Sequence, residues 1–147
     1  MKTTPLFFLF LLFVVSAEAQ SLRTGLINTV ETINCILEQK KRVGFTNQDY
    51  DVFYPTKIKA NLQGQVFCVD GLTTYATKTN GIMFNVLKIE SFVINGGEIK
   101  ALDKNQETIV AIFQGSLNDS QALKKELKAL RFICRLYSKE DPNFKCD

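Results

Sequence analysis

The spacing of apolar residues changes twice along this chain, and that change limits the folds open to it more than any other feature. Leu22, Leu26, Val30, Ile33 and Leu37 recur every three or four residues, the period of one buried helical stripe. From Thr56 the period becomes two: Ile58, Ala60 and Leu62 alternate with Lys57, Lys59 and Asn61, as in a strand with one wet face. At Leu123, Leu127, Leu130, Cys134 and Tyr137 the helical spacing returns. Two amphipathic helices with strands between them predict an α+β domain. The expected fold is an antiparallel sheet of about four strands, flanked by an N-terminal and a C-terminal helix.

The first helix is expected over Ser21 to Val43, with Lys40, Lys41 and Arg42 complementing the dipole at its end. The segment Gly44 to Pro55 mixes turn formers with Phe45, Tyr50, Phe53 and Tyr54 and reads as a loop packed down over core or ligand. Gly64 is expected to interrupt the first strand as a bulge or bend, and Val66 to Val69 to resume it. Asp70-Gly71 and Asn80-Gly81 read as turns. Gly81 to Ile94 is apolar on both faces and reads as one long central strand, ended by Asn95-Gly96-Gly97. Glu98 to Leu102 and Glu107 to Phe113 read as a hairpin closed by Asp103 to Gln106. The second helix is expected over Ser116 to Tyr137, capped by Ser116 with Asp119 or by Asn118, and stopped by Asp141-Pro142.

Residues 1–19 have the form of a secretory signal: Lys2, the apolar run Leu6 to Val15, then the small side chains of Ala17 and Ala19 around Glu18. Cleavage is expected before Gln20, with Glu18 as the alternative. The apolar run is too short to cross the roughly 30 Å hydrocarbon core of a bilayer, so no membrane anchor is expected. One secreted domain, 20–147, remains. The chain carries 18 basic and 15 acidic residues, and the signal removes one of each, so the balance stays at +3 with no long block of like charge. No nucleic-acid partner is expected from that distribution.

Four cysteines, Cys35, Cys68, Cys134 and Cys146, all lie beyond the signal, and an even number in an exported chain reads as two disulfides. Cys35–Cys68 and Cys134–Cys146 are the favoured pairs, the second because its span is short. No two cysteines stand in a close metal-binding pair, and the chain contains no histidine. Histidine-based nucleophile pairs and histidine-ligated zinc are therefore unavailable, and neither metal nor cofactor is expected. Carboxylate or lysine chemistry remains open, but no recognisable motif supports it, so the chain reads as a non-enzyme. Asn118-Asp119-Ser120 is its one N-x-S/T site and makes Asn118 a candidate for glycosylation.

The order of elements also carries a resemblance. An amphipathic helix, a strand with an inner glycine (Ile58 to Val69, with Gly64), the Val69-Asp70-Gly71-Leu72 turn and the following hairpins resemble the opening half of the arthropod secreted lipid-binding proteins of the takeout and mite group-seven allergen kind. The likeness spans Leu22 to Phe113. It implies a curved sheet around a long helix, holding apolar ligands. This chain is shorter and ends on a helix of its own with the Cys134/Cys146 pair. The functional expectation is a non-enzymatic secreted binding protein acting on an extracellular partner, as a component of saliva, venom or another body fluid. Phe45, Tyr50, Phe53 and Tyr54 form the candidate contact patch, and the alternative is a carrier of small apolar ligands.

Overall fold

The computed structural model describes residues 4–40, 43–46, 52–73, 81–113 and 117–140. Helix α1 (Thr4–Gln39) leads into strands β1 (Gly44–Thr46), β2 (Phe53–Ala60), β3 (Gln65–Thr73) and β4 (Ile82–Asn85). A single 3₁₀ turn (Val86–Lys88) precedes β5 (Ser91–Asn95), β6 (Glu98–Leu102) and β7 (Thr108–Phe113), and helix α2 (Leu117–Glu140) follows. The strands form one antiparallel sheet in the order β4-β3-β2-β1-β7-β6-β5. The expected fold, a sheet of about four strands between two helices with two disulfides, is not the one that forms: among the described residues two helices accompany one antiparallel sheet of seven strands.

Three segments account for the difference, one of them the turn at Gly64 that divides the expected first strand into β2 and β3. The expected aromatic loop contributes β1 and the start of β2, joined by the single register pair Phe45↔Phe53. The expected long central strand is divided at Asn85. There the Asn85 side chain accepts from the Leu87 amide at 2.8 Å and donates to the Gln63 carbonyl, while the Val86 amide reaches the Gly64 carbonyl at 2.8 Å. These bonds replace a strand ladder with a turn, and the two halves become opposite edges of the sheet. Ile82, Phe84, Val86, Ile89 and Phe92 are all buried while Met83 and Val93 are exposed. The segment looks apolar on both faces because the turn shifts the phase of burial.

Gly64 is not an interruption within a strand; with φ +83° it closes the β2–β3 turn, its amide donating to the Asn61 carbonyl at 3.0 Å. Asp70-Gly71 is not a turn either. It lies within β3, where Asp70 takes a left-handed φ of 54° that aspartate tolerates better than most residues. The β6–β7 hairpin forms as expected, its loop held by Asp103 Oδ1 accepting from the Asn105 and Glu107 amides at 2.8 and 2.9 Å.

The helices run antiparallel over the sheet. At one end a Cβ on Gly25 would stand 3.4 Å from Ile133 Cδ1, and at the other Lys40 pairs with Asp119 at 2.8 Å. Beyond Phe53, β2 has no strand on its β1 side, and α1 takes that place. Asn34 Oδ1 accepts from the Ile58 amide at 2.8 Å and Asn34 Nδ2 donates to the Ile58 carbonyl at 3.2 Å, so one side-chain amide completes an open strand edge. Helix α2 is fastened to the link before β5. Arg131 Nη1 donates to the carbonyls of Ile89 and Glu90 at 2.9 Å each, and its guanidinium lies 5.4 Å from the centre of the Phe92 ring. Partial burial, with Arg135 adjacent, lowers the Arg131 pKa, and Glu90 acts in the opposite sense. The stripe Leu123, Leu127, Leu130 and Cys134 of α2 meets Ile33 and Leu37 of α1 and the inward residues of the strands in one core.

Among the described residues neither expected disulfide forms. Cys35, Cys68 and Cys134 are free thiols. Ile33 and Leu37 turn the core-facing side of α1 inward, which leaves Cys35 on its exposed side, whereas Cys68 is 1% exposed beside Ile58. The width of the helix separates that pair. Cys134 is fully buried with its Sγ 3.5 Å from the Asn61 carbonyl, and Cys146 lies outside the described residues.

Candidate functional site

The end of α1 and the β2–β3 pair border a half-open cavity of about 450 Å³. Leu37 and Glu38 enter it from α1 and Val43 from the segment that follows; Tyr54, Pro55 and Thr56 come from β2, and Asp70 and Gly71 from β3. Its walls are largely apolar, with two carboxylates, a phenol and a hydroxyl at the margin. That composition, and a volume between about 300 and 1,000 Å³, are typical of sites that bury a small apolar group and orient it through a few polar contacts.

Two glycines shape the cavity. A Cβ on Gly44 would sit 3.0 Å from Tyr54 Cε1, so the missing side chain leaves room for the tyrosine ring. Gly71 lies against the Tyr54 carbonyl oxygen so closely that a Cβ would collide with it, and with Phe53 Cζ and Pro55 Cα at 2.8 Å. The hydroxyl of Thr56 donates to the Asp70 carbonyl, tying β2 to β3 where Asp70 turns left-handed. A residue held at positive φ beside a concave site is the kind of local strain that clusters at functional positions.

The candidate contact patch is not brought together at the surface. Phe45 and Phe53 are 1% and 3% exposed and belong to the core, and displaying both would forfeit about 3–6 kcal/mol of burial at roughly 1.5–3 kcal/mol each. Tyr54 is half-buried and lines the cavity, and Tyr50 lies outside the described residues. Of the four, the structure leaves Tyr54 as a site residue. Sequence reading missed Leu37, Glu38, Val43, Thr56, Asp70 and Gly71. One signal was present, because Asp70-Gly71 marks unusual backbone, but it reads equally as a turn.

Asn118 is exposed in the first turn of α2, and Ser120 of the same sequon is fully buried. Burial raises the Cys68 thiol pKa to about 12 and the Cys134 thiol pKa to about 11, the latter opposed by a hydrogen bond from the Gly64 backbone. Among the described residues no group of three or more Cys, Asp or Glu side chains could hold a metal ion. No helix among them is long and apolar enough to cross a membrane. No known protein family matches the chain, and no curated protein or solved structure does so either.

Proposed function

We propose that this protein is exported and non-enzymatic, and that it binds an extracellular partner through the cavity between the end of α1 and the β2–β3 pair. The observation that carries this reading is the cavity itself: apolar walls from Leu37, Val43 and Pro55, the Tyr54 ring, and the carboxylates of Glu38 and Asp70 at the margin. An apolar side chain or small apolar group carrying a hydrogen-bond donor suits that arrangement. Ala17, Glu18 and Gln20, on either side of the expected cleavage point, are exposed on α1.

The test replaces Tyr54 with the photo-cross-linker p-benzoylphenylalanine and exposes the protein to the extracellular fluid of the producing tissue. Met83, 58% exposed on the edge strand β4 and outside the cavity lining, serves as the control position. The reading expects one defined cross-linked partner at position 54 and none at position 83. The same products at both positions, or none at 54, would overturn it.

The apolar walls also favour a second reading, carriage of a small apolar molecule, which the takeout-like resemblance implies. Native mass spectrometry of the purified protein separates the two. A bound mass, lost on substituting Leu37 with serine, supports carriage. An unliganded protein that also takes up no fluorescent fatty acid refutes it.

A further inference from the structure

A second concavity, beside the β5 edge of the sheet, joins two features that have no role so far. Strand β5 is one edge of the sheet, and among the described residues no strand pairs with its outer side. It closes onto β6 through the two-residue turn Gly96-Gly97, with Asn95 opposite Glu98 and Gly96 at φ +60°. In an antiparallel ladder begun that way, Ser91, Val93 and Asn95 bond to β6, and the backbone groups of Phe92 and Ile94 point outward. Arg131 occupies the carbonyls of Ile89 and Glu90 just before the strand, leaving Phe92 and Ile94 as the open stretch.

Edges of this kind are normally protected by a charge, a proline or a bulge on the strand. The sequence of β5, SFVIN, has neither charge nor proline. What lies beside it is a groove of about 660 Å³, lined by Ile94 of the strand and by Leu117, Gln121, Lys124, Lys125 and Lys128 of α2. These α2 residues stand at i, i+4, i+7, i+8 and i+11, on one stripe of the helix. None of the three lysines is in an ion pair among the described residues.

We propose that β5 and the lysine stripe of α2 together form a docking groove for an extended acidic peptide segment, which would add to the sheet as an eighth strand. Charge decides between the occupants an open edge could take. A second copy pairing β5 to β5 would bring two lysine stripes together on one face, so the stripe opposes self-association and favours a partner of opposite sign. The spacing agrees as well. Lys124 and Lys128 are separated by about 6 Å of helix rise, and alternate residues of a strand by about 6.7 Å. Acidic side chains at every second position would therefore meet successive lysines while the peptide backbone bonds to Phe92 and Ile94. The residues between them would face away from the helix.

The test measures fluorescence polarisation of a labelled heptapeptide alternating glutamate and valine against the intact protein. Saturable binding is expected, with hydrogen exchange slowed at the Phe92 and Ile94 amides. Lys124→Glu with Lys128→Glu should weaken it by about tenfold or more; neither lysine belongs to the buried stripe of α2, so the fold is retained. A peptide of the same sequence, N-methylated on the edge facing β5, keeps its charge but cannot extend the sheet, and it should not bind. Equal binding of the methylated peptide would reduce the groove to a charged patch and overturn the proposal. So would sedimentation with phosphatidylglycerol vesicles in the absence of any peptide binding, or no binding to either.

Discussion

Replacing Asn34 with alanine tests the claim that α1 completes the sheet through one side chain. In the native fold Asn34 satisfies both backbone groups of Ile58, whose residue is 1% exposed. Alanine leaves that amide and carbonyl without partners in a place water does not readily reach. An unsatisfied buried group costs about 1–3 kcal/mol, and the longer 3.2 Å bond to the carbonyl puts its share at the lower end. The gross cost is thus about 2–4 kcal/mol. Alanine is the better helix former and returns about 0.5 kcal/mol, so Asn34→Ala should lose about 1.5–3.5 kcal/mol. In a domain of this size that lowers Tm by roughly 4–11 °C.

Asn28→Ala is the matched control, because Asn28 is exposed on the same helix and its substitution reports helix propensity alone. Urea unfolding of the two variants beside the parent gives the difference, and native-state hydrogen exchange gives its location. The Ile58 amide should lose protection in Asn34→Ala while Val66, in the core of the neighbouring strand, loses only what the global change dictates. If Asn34→Ala unfolds within 0.5 kcal/mol of Asn28→Ala, the edge at Ile58 is satisfied some other way and the reasoning fails.

Other expectations follow from the same geometry. At pH 8 iodoacetamide should alkylate the exposed Cys35 rapidly but leave Cys68 and Cys134 unmodified until the chain unfolds, as read by peptide mass mapping. Burial holds the Cys68 pKa near 12 against an ordinary value of 9.0, so the unfolded chain loses that proton first; stability should fall as pH rises from about 9 towards 12, and a flat profile there would contradict the burial. Gly25→Ala should stabilise the fold by about 0.5–1 kcal/mol, because the added Cβ meets Ile133 at ordinary contact distance while the helix loses a flexible residue; urea unfolding checks the sign. Protein secreted from eukaryotic cells should begin at Gln20 and shift in mobility on glycosidase treatment, and Asn118→Gln should abolish the shift.

The legible parts of the fold were those in which one local signal acts alone. The stripe from Leu22 to Leu37 and that from Leu123 to Tyr137 become the packed faces of α1 and α2 because a long helical period has few competing readings. The hairpin from Glu98 to Phe113 formed as expected because Asp103, its polar loop and the alternation on both sides agree. What was illegible depended on distant partners. Asn85 looks like any polar residue in a strand until Gln63 and Gly64 are beside it, and those partners lie more than 20 residues back along the chain. Asn34 looks like a solvent-facing position on a helix until a strand edge needs it.

The same dependence explains why the candidate sites were harder to read than the fold. Four aromatics in a twelve-residue stretch suggested a surface patch, yet the short strand β1 brings Phe45 opposite both Ile112 and Phe53, and burial claims two of the four. Tyr54 stays at the cavity because strand alternation turns it to the other face of β2 from Phe53. Likewise, dividing the segment from Gly81 to Ile94 at Asn85 turns an expected centre of the sheet into its two edges. An edge strand without charges or proline needs some other defence, and here the nearest candidates are lysines on a helix far away in sequence. Lys124, Lys125 and Lys128 read on their own as a solvated helix face; beside β5 they determine which charge an added strand could carry.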